Sequence, residues 1–171
     1  MINLGRRIMV MGSSGSGKST MAKRLGALTG LPVIHLDRLA WLPGWVRTPK
    51  DELDEAIRAQ ADQPAWIIDG DYCACVFDYR LERADTIIFL EFSRPACLYR
   101  TAKRRIIYHG ATRPDATEGC KESFNWPLFR EIRTYPGRRK GVLRDLAEIR
   151  PPRQVIHLKG NRAVRRFLQS L

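Results

Sequence analysis

The sequence predicts a three-layer α/β/α domain built on a five-stranded parallel sheet. Three observations support this fold class. Short apolar segments alternate with longer amphipathic ones, a glycine-rich loop joins the first strand to the first helix, and aspartates follow two further strands. At 171 residues the chain has the usual size of one domain, so we expect a single domain over residues 1–171.

Five short apolar segments are the predicted strands, and each is followed by glycine or polar residues. Their bounds are 7–11, 33–36, 66–68, 86–90 and 155–158. Strands of this kind, joined by right-handed helical crossovers, form a parallel sheet that helices cover on both faces. Ligands of such sheets bind beyond the carboxyl ends of the strands, so the chemistry is expected at that edge.

Amphipathic segments between and after the strands are the predicted helices. Their approximate bounds are 21–28, 49–61, 76–82, 95–109, 124–149 and the residues after 161. The second of them is expected to have Thr48 as its N-cap and Pro49 as its first residue. A break is expected near Pro136. The helix from 95 is expected to carry an apolar face of Leu98, Ala102 and Ile106.

The loop over residues 12–20 is the most specific signal in the chain. It reads Gly-Ser-Ser-Gly-Ser-Gly-Lys-Ser-Thr, which fits the phosphate-binding pattern G-x-x-x-x-G-K-[ST] without a gap. Its glycines let several backbone N–H groups point into one concave nest, and the following helix adds the positive end of its dipole. Lys18 can reach the β- and γ-phosphates of a nucleotide, and the Ser19 hydroxyl can ligate Mg²⁺.

The sequence therefore predicts that the chain binds ATP and Mg²⁺ through this loop. The predicted ATP-binding residues are Gly12, Ser13, Ser14, Gly15, Ser16, Gly17, Lys18, Ser19 and Thr20.

Two aspartates follow predicted strands and should lie at the same sheet edge as the phosphate loop. Asp69 ends the third strand, where a carboxylate can hold Mg²⁺ directly or through water, the alternative being a simple turn residue. Asp37 ends the second strand and could accept a proton from a hydroxyl group, hydrogen-bond the substrate or cap a turn. Trp41 and Trp45 come next, and they could stack on a substrate ring or pack beneath a loop.

Basic residues are concentrated in the second half of the chain, where they could face a transferring phosphoryl group. Arg100 and Arg104 lie four residues apart on one predicted helix and so share a face. The segment over about 110–123 has no periodicity and is predicted to be a mobile lid that carries Arg113. Such arginines could neutralise developing charge, the alternative being a solvated basic surface. The candidate catalytic residues are Lys18, Asp37, Arg104 and Arg113. The candidate substrate-binding residues are Asp37, Trp41, Trp45, Arg100, Arg130 and Arg133.

The charge, the apolar runs and the cysteines of the chain indicate which kinds of partner and which cellular compartment to expect. The chain has 30 Lys and Arg against 18 Asp and Glu, and the formal charge of +12 suits nucleic acid or a phosphorylated small molecule. No apolar run is long enough for a membrane span and no segment fits a signal peptide, so we expect a cytoplasmic protein. Cys73, Cys75, Cys97 and Cys120 lack metal-site spacing and are expected to be reduced thiols. The pattern favours neither a monomer nor an oligomer.

Taken together, these residues resemble the P-loop kinases related to adenylate kinase, and among them the branch labelled DNA topology modulation proteins. The resemblance covers most of the chain. Its family-specific parts are the loop from Trp41 to Trp45 and the segment Thr112-Arg113-Pro114-Asp115. Further matching residues are His35-Leu36-Asp37, 66–72, Arg104, Glu118-Gly119-Cys120, Glu122, Phe124, Trp126 and Tyr135.

The resemblance implies a P-loop NTPase fold with the strand order 2-3-1-4-5 and an arginine-bearing lid. It also implies transfer of the γ-phosphoryl group of ATP to a small-molecule acceptor such as a nucleotide or nucleoside. Asp69-Gly70 matches the start of the Asp-Gly-Phe-Pro-Arg motif of adenylate kinases, but Asp71-Tyr72-Cys73 replaces the rest. The arginine that binds the acceptor phosphate in that family is therefore missing, which disfavours AMP.

Two functions from different classes follow. The first is an ATP-dependent phosphotransferase with an unidentified small-molecule acceptor. The alternative is an ATP-switched nucleic-acid-binding regulator of DNA topology, suggested by the charge and by the family label. No helix-turn-helix signal or aromatic and basic stacking platform supports the alternative. Hydrolysis of the nucleotide without an acceptor is a third reading.

Overall fold

A five-stranded parallel sheet forms the centre of the protein, in a computed structural model that describes residues 2–72, 75–122 and 126–171. The strands are β1 (Arg7–Gly12), β2 (Val33–His35), β3 (Trp66–Asp69), β4 (Thr86–Glu91) and β5 (Gln154–Lys159). They pair in the order β2-β3-β1-β4-β5, with every pairing parallel. This sheet confirms the predicted fold class and its strand order 2-3-1-4-5.

Helices cover the sheet on both faces. They are α1 (Lys18–Thr29), α2 (Leu36–Ala40), α3 (Lys50–Ala61), α4 (Phe77–Arg83), α5 (Arg94–Ile107), α6 (Trp126–Ala147) and α7 (Gly160–Gln169). Because side chains alternate along a strand, β1 supplies both layers of the core. Met9 and Met11 pack in a cluster with α3, whereas Ile8 and Val10 pack in a cluster with α1 and α7.

The chain between β2 and α3 differs from the predicted loop. Asp37 lies in the first turn of the short helix α2. The segments Trp41–Leu42 and Val46–Arg47 pair as an antiparallel hairpin, which we call the tryptophan hairpin. Thr48 is not the N-cap of α3, because its hydroxyl donates to the Leu39 carbonyl at 2.6 Å and Pro49 takes the cap position.

The predicted apolar face of α5 is wrong at Ile106, whereas Leu98 and Ala102 are half-buried. Ile106 is 78% exposed, and the buried residues of this helix are Cys97, Thr101 and Arg105. The physical reason is the neighbour that α5 meets: a Cβ atom on Gly15 would collide with the Cys97 carbonyl and the Thr101 hydroxyl. The face of α5 that is buried is therefore the one that approaches the phosphate loop closely. The spacing of apolar residues along the helix does not determine it.

The predicted break at Pro136 is also wrong, since α6 runs without interruption from Trp126 to Ala147. Buried residues recur at helical spacing on both sides of the proline, at Ile132, Val142 and Leu146. One continuous packed face stabilises a helix that local propensity alone would end.

In the described part of the chain, no helix is both long and apolar enough to cross a membrane. Within the same ranges, Cys75, Cys97 and Cys120 are buried free thiols. Cys73 and Phe124 fall outside the described residues, as does the side chain of Trp126.

The two isoleucines Ile106 and Ile57 give a direct test of helix packing. Ile106→Ala should change the free energy of unfolding by about 0.5 kcal/mol or less, because the side chain is exposed. Ile57→Ala should cost about 2–5 kcal/mol, because Ile57 is fully buried on α3. Urea unfolding of both variants measures the difference. A large loss for Ile106→Ala would restore the face that the sequence predicted.

Candidate active site

The phosphate loop follows β1 and is shaped by its glycines. Gly12, Gly15 and Gly17 have φ angles of 137°, 79° and 97°, a region that side chains disfavour. Gly12 also passes so close to the Leu90 carbonyl of β4 that a Cβ atom there would collide with it. The loop therefore needs glycine for two reasons, its backbone conformation and its contact with the neighbouring elements.

Lys18 lies across the loop that it is predicted to serve. Its ammonium group donates to the carbonyls of Gly12 at 2.5 Å and Ser13 at 3.2 Å. The charge is thus held at the mouth of the nest formed by the loop, where a phosphate oxygen could replace the carbonyls as its partner.

The end of β3 connects the phosphate loop to α6. Asp71 accepts a hydrogen bond from the Gly12 amide at 2.8 Å and another from the Tyr135 hydroxyl at 2.9 Å. Asp69 is buried and lies 2.7 Å from Nδ1 of His35, on the neighbouring strand β2. One of the two carboxylate oxygens of Asp69 is therefore already paired with His35. The metal-binding role of Asp69 stays a prediction.

Arg80 positions the backbone that follows β3. This arginine is fully buried on α4, and its guanidinium donates to the carbonyls of Gly70 at 3.2 Å, Asp71 at 2.9 Å and Tyr72 at 3.0 Å. Because these bonds fix the direction of the loop, they also set where Tyr72 points. Sequence reasoning missed Arg80, since nothing in a short helix of mixed charge distinguishes an inward arginine from an exposed one.

Asp37 faces the end of β3 from α2. It accepts a hydrogen bond from the Tyr72 hydroxyl at 2.7 Å and lies 3.4 Å from the Arg113 guanidinium, yet 42% of its side chain is exposed. Burial and the neighbouring Asp37 charge raise the pKa of Tyr72. The phenol is therefore a neutral donor at physiological pH, and the Asp37 carboxylate stays accessible to a ligand.

Arg113 is the buried centre of the predicted lid segment. It lies 3.0 Å from Asp115 and 2.5 Å from Glu122, in addition to its contact with Asp37. Glu122, which is only 1% exposed, also meets Arg105 of α5 at 3.1 Å and Arg104 at 3.8 Å. We call Glu122 and its three arginines the Glu122 cluster; it attaches the lid segment to α5.

Arg104 belongs to this cluster. Burial lowers the pKa of its guanidinium, and the neighbouring Arg113 charge lowers it further, while Glu122 acts in the opposite direction. In this structure Arg104 forms an ion pair with Glu122 of the lid segment. A catalytic role for Arg104 stays a prediction.

Asp115 connects the lid segment to the phosphate loop. Burial alone would raise the pKa of Asp115, but the Arg113 charge and a hydrogen bond with the Ser19 hydroxyl bring it below its usual value. Asp115, Arg113, Asp37 and Tyr72 are therefore linked by direct contacts, and the Ser19 hydroxyl acts on Asp115 at one end of this series. We call this series the polar chain; it joins the predicted Mg²⁺ ligand Ser19 to the predicted substrate residue Asp37.

The lid segment is also bonded to the tryptophan hairpin. Thr117 donates to the Trp41 carbonyl at 2.6 Å, and the Trp45 indole donates to the Lys121 carbonyl at 2.7 Å. The two indole rings meet edge to face, with centroids 5.4 Å apart. The lid segment is thus in direct contact with the tryptophan hairpin through Thr117 and Lys121, while the mobility of the lid stays a prediction.

The other predicted arginines lie apart from one another. Arg100 donates to the Ser16 carbonyl at 3.2 Å and to Asn161 at 2.7 Å, so it lies behind the phosphate loop, while Arg104 turns to Glu122. Arg130 and Arg133 are exposed on α6. The residue of α6 that reaches the site is Tyr135, which sequence reasoning matched to the family without a role.

Oxygen donors suited to Mg²⁺ are present at one end of the polar chain. In nucleotide sites this ion needs only one or two protein ligands, because phosphates and water supply the others. The Ser19 hydroxyl and the Asp115 carboxylate are such donors. Across the described ranges no group of three or more His, Cys, Asp or Glu side chains could hold a metal ion.

Comparison with known proteins identifies the fold. No protein-family model matches the chain, and no curated protein matches it. A gluconokinase from Sinorhizobium meliloti 1021 is similar with a TM-score of 0.53 and 18% identity, over 99% of this chain and 97% of its own. A shikimate kinase from Acinetobacter baumannii, in complex with shikimate, is similar with a TM-score of 0.60 and 15% identity, over 97% and 90%. The chain therefore has the fold of the P-loop kinases, and at these identities the likeness concerns the fold alone.

The Glu122 cluster should be necessary for stability. Glu122→Gln removes the buried carboxylate that three guanidiniums share and leaves Arg105 without its described acidic partner, so we expect a loss of about 3–5 kcal/mol in the free energy of unfolding. The matched control is Glu118→Gln, an exposed glutamate on the same segment, with an expected change of about 0.5 kcal/mol or less. Chemical denaturation measures both, and equal stabilities would contradict the assignment.

The pH dependence of stability should report on Asp115. Because its folded pKa is lowered, its charge stabilises the protein above about pH 4, the range of an unfolded aspartate, and this contribution is lost as the pH falls through the folded value. Asp115→Asn should therefore be less stable than the parent protein near neutral pH, and the difference should shrink as the pH falls below about 4. Urea titrations across this range test it, and a pH-independent difference would be the contrary result.

Proposed function

We propose that this protein is an ATP-dependent phosphotransferase that transfers the γ-phosphoryl group to a hydroxyl group of a small molecule. The observation that carries the proposal is the series of contacts from Asp115 through Arg113 to Asp37, because it connects an accessible carboxylate, Asp37, to the lid residue whose pKa is affected by Ser19 of the phosphate loop. A protein that only binds nucleotide has no need of this second half.

The donor half of the proposed site is the phosphate loop. Backbone N–H groups of residues 12–20 would bind the phosphates together with the N-terminus of α1. Lys18 would release the carbonyls of Gly12 and Ser13 and pair with the β- and γ-phosphates. Arg100, already bonded to Ser16, would support the loop from behind.

Mg²⁺ fits the oxygen donors at Ser19, with Asp115 beside it and Asp69 as the predicted further ligand. When bound, the ion would neutralise negative charge on the nucleotide phosphates. Asp115 would hold the ion directly or through water, together with Ser19.

The acceptor half of the proposed site is Asp37 with its two partners. The acceptor hydroxyl would hydrogen-bond to the exposed carboxylate, and its oxygen would attack the γ-phosphorus. The bond from phosphorus to the bridging oxygen breaks, ADP leaves with the electron pair, and the hydroxyl proton passes to Asp37. Tyr72 and Arg113 would hold the carboxylate in place through the 2.7 Å and 3.4 Å contacts.

The lid segment would exclude water during transfer. Arg113 lies between Asp37 and Asp115, so its charge faces the region between the two halves. Closure of this segment over a bound nucleotide would suppress hydrolysis, which is the general use of lids in kinases.

Two likenesses support the proposal. The gluconokinase and the shikimate kinase that share the fold are named for phosphorylation of small molecules. The tryptophan hairpin and the Arg113–Asp115 segment are the parts that resemble the branch labelled DNA topology modulation proteins. The Arg113–Asp115 segment contacts Asp37, and the tryptophan hairpin directly follows the helix that carries Asp37, which suits a substrate-specific function for them.

A screen of hydroxylated small molecules for ATP-dependent ADP release tests the proposal. Lys18→Ala should lower kcat/KM by about 100- to 1,000-fold or more, because the developing phosphoryl charge loses its counter-ion. Lys140→Ala, which removes an exposed lysine of α6, should leave it unchanged. Asp37→Asn should lower kcat and leave ATP affinity as it is. Full transfer activity in Lys18→Ala would refute the mechanism.

A further inference from the structure

We infer that Asp71 positions the phosphate loop for nucleotide binding, and that Tyr135 of α6 holds the Asp71 carboxylate in place. The inference rests on the nucleotide binding that the proposed function requires, and it assigns a positioning role to two residues outside the loop. It depends on how the buried Gly12 amide is satisfied at the point where β3 ends.

The hydrogen bonds between β1 and β3 stop before they reach the Gly12 amide. Val10 pairs with Asp69, and the Gly70 amide donates to the Val10 carbonyl at 3.2 Å. If this parallel pairing continued, the Gly12 amide would donate to the Gly70 carbonyl. Gly70 has a φ angle of 129°, however, and its carbonyl accepts from Arg80 at 3.2 Å. The backbone of β3 therefore supplies no partner for Gly12.

The Asp71 carboxylate takes the place of the strand carbonyl. One of its oxygens accepts from the Gly12 amide at 2.8 Å, and Gly12 is buried, so this amide would be costly to leave unpaired. The other oxygen accepts from the Tyr135 hydroxyl at 2.9 Å, and Tyr135 is also buried. The carboxylate therefore joins the start of the phosphate loop to the middle of α6.

Gly12 is held at both its amide and its carbonyl. Asp71 binds the amide, and the Lys18 ammonium group donates to the carbonyl at 2.5 Å. In the proposed function Lys18 leaves this carbonyl for the phosphates, while the bond between the Gly12 amide and Asp71 can persist. Asp71 is therefore suited to keep the start of the loop in its conformation when the nucleotide binds.

The negative charge of Asp71 makes a positioning role distinguishable from a simple electrostatic effect. A carboxylate beside a phosphate site repels the phosphates, so without a positioning role its removal would strengthen nucleotide binding. A carboxylate that preorganises the loop has the opposite effect, because a loop already in its binding conformation loses less freedom when the ligand binds. The two roles therefore predict changes of opposite sign.

Binding of ADP, measured by calorimetry in the presence of Mg²⁺, tests the inference without an acceptor. Asp71→Ala should weaken ADP binding about tenfold or more, the usual value of a hydrogen bond to a charged group. Asp71→Asn should bind ADP within about threefold of the parent protein, because its amide oxygen can still accept from the Gly12 amide. Unchanged or tighter binding by Asp71→Ala would overturn the inference and leave the proposed phosphotransferase standing. No binding of ADP by the parent protein would overturn both.

A double-mutant cycle tests the role of Tyr135. Tyr135→Phe should weaken ADP binding about three- to tenfold in the parent protein and have no further effect in Asp71→Ala, because it acts through the carboxylate. Equal losses in the two backgrounds would overturn the inference. The matched control is Tyr99→Phe, an exposed tyrosine of α5, which should leave ADP binding unchanged.

Urea unfolding of each variant separates an effect on ADP binding from an effect on folding. If Asp71→Ala does not fold, the comparison of Tyr135→Phe with Tyr99→Phe is the test. Equal ADP affinities of these two variants would then overturn the inference.

Discussion

The buried carboxylate of Glu122 is the contact on which the candidate active site depends. Three guanidiniums converge on it, two from α5 and the third from Arg113 of the lid segment. Buried charges are costly unless they are paired, so the segment can leave α5 only by separating these charges or exposing them to water. The position of Arg113 follows from this constraint, and Arg113 in turn orients Asp37 and Asp115.

The two halves of the proposed site are constructed differently. The donor half is nine consecutive residues whose conformation depends on local glycines and on the start of α1. The acceptor half brings together Asp37, Tyr72 and Arg113 from three separate segments. Arg80 positions this second half through its bonds to the carbonyls of residues 70–72, and the Glu122 cluster does so through Arg113. A phosphate loop can therefore be shared by many proteins while the acceptor region varies.

The errors in the sequence predictions share one cause. Apolar spacing suggested that Ile106 faces the core, yet α5 turns Cys97 and Thr101 towards the phosphate loop. Proline suggested a break in α6, yet packing on both sides of it maintains the helix. Both predictions used the preference of a short stretch of sequence for a particular structure. In both places packing against distant parts of the chain contributes more free energy than this local preference does.

The sequence by itself determined the sheet, the phosphate loop and the presence of Asp37 and Asp69 at one edge. These follow from short-range patterns: apolar runs, glycines at set spacing, and the rule that parallel strands end at a common edge. Only the tertiary structure decided which arginines meet which carboxylates and that Tyr72 binds Asp37. The reason is that these contacts join residues far apart in the chain. No short sequence pattern indicates which side of a helix or loop will face a distant partner.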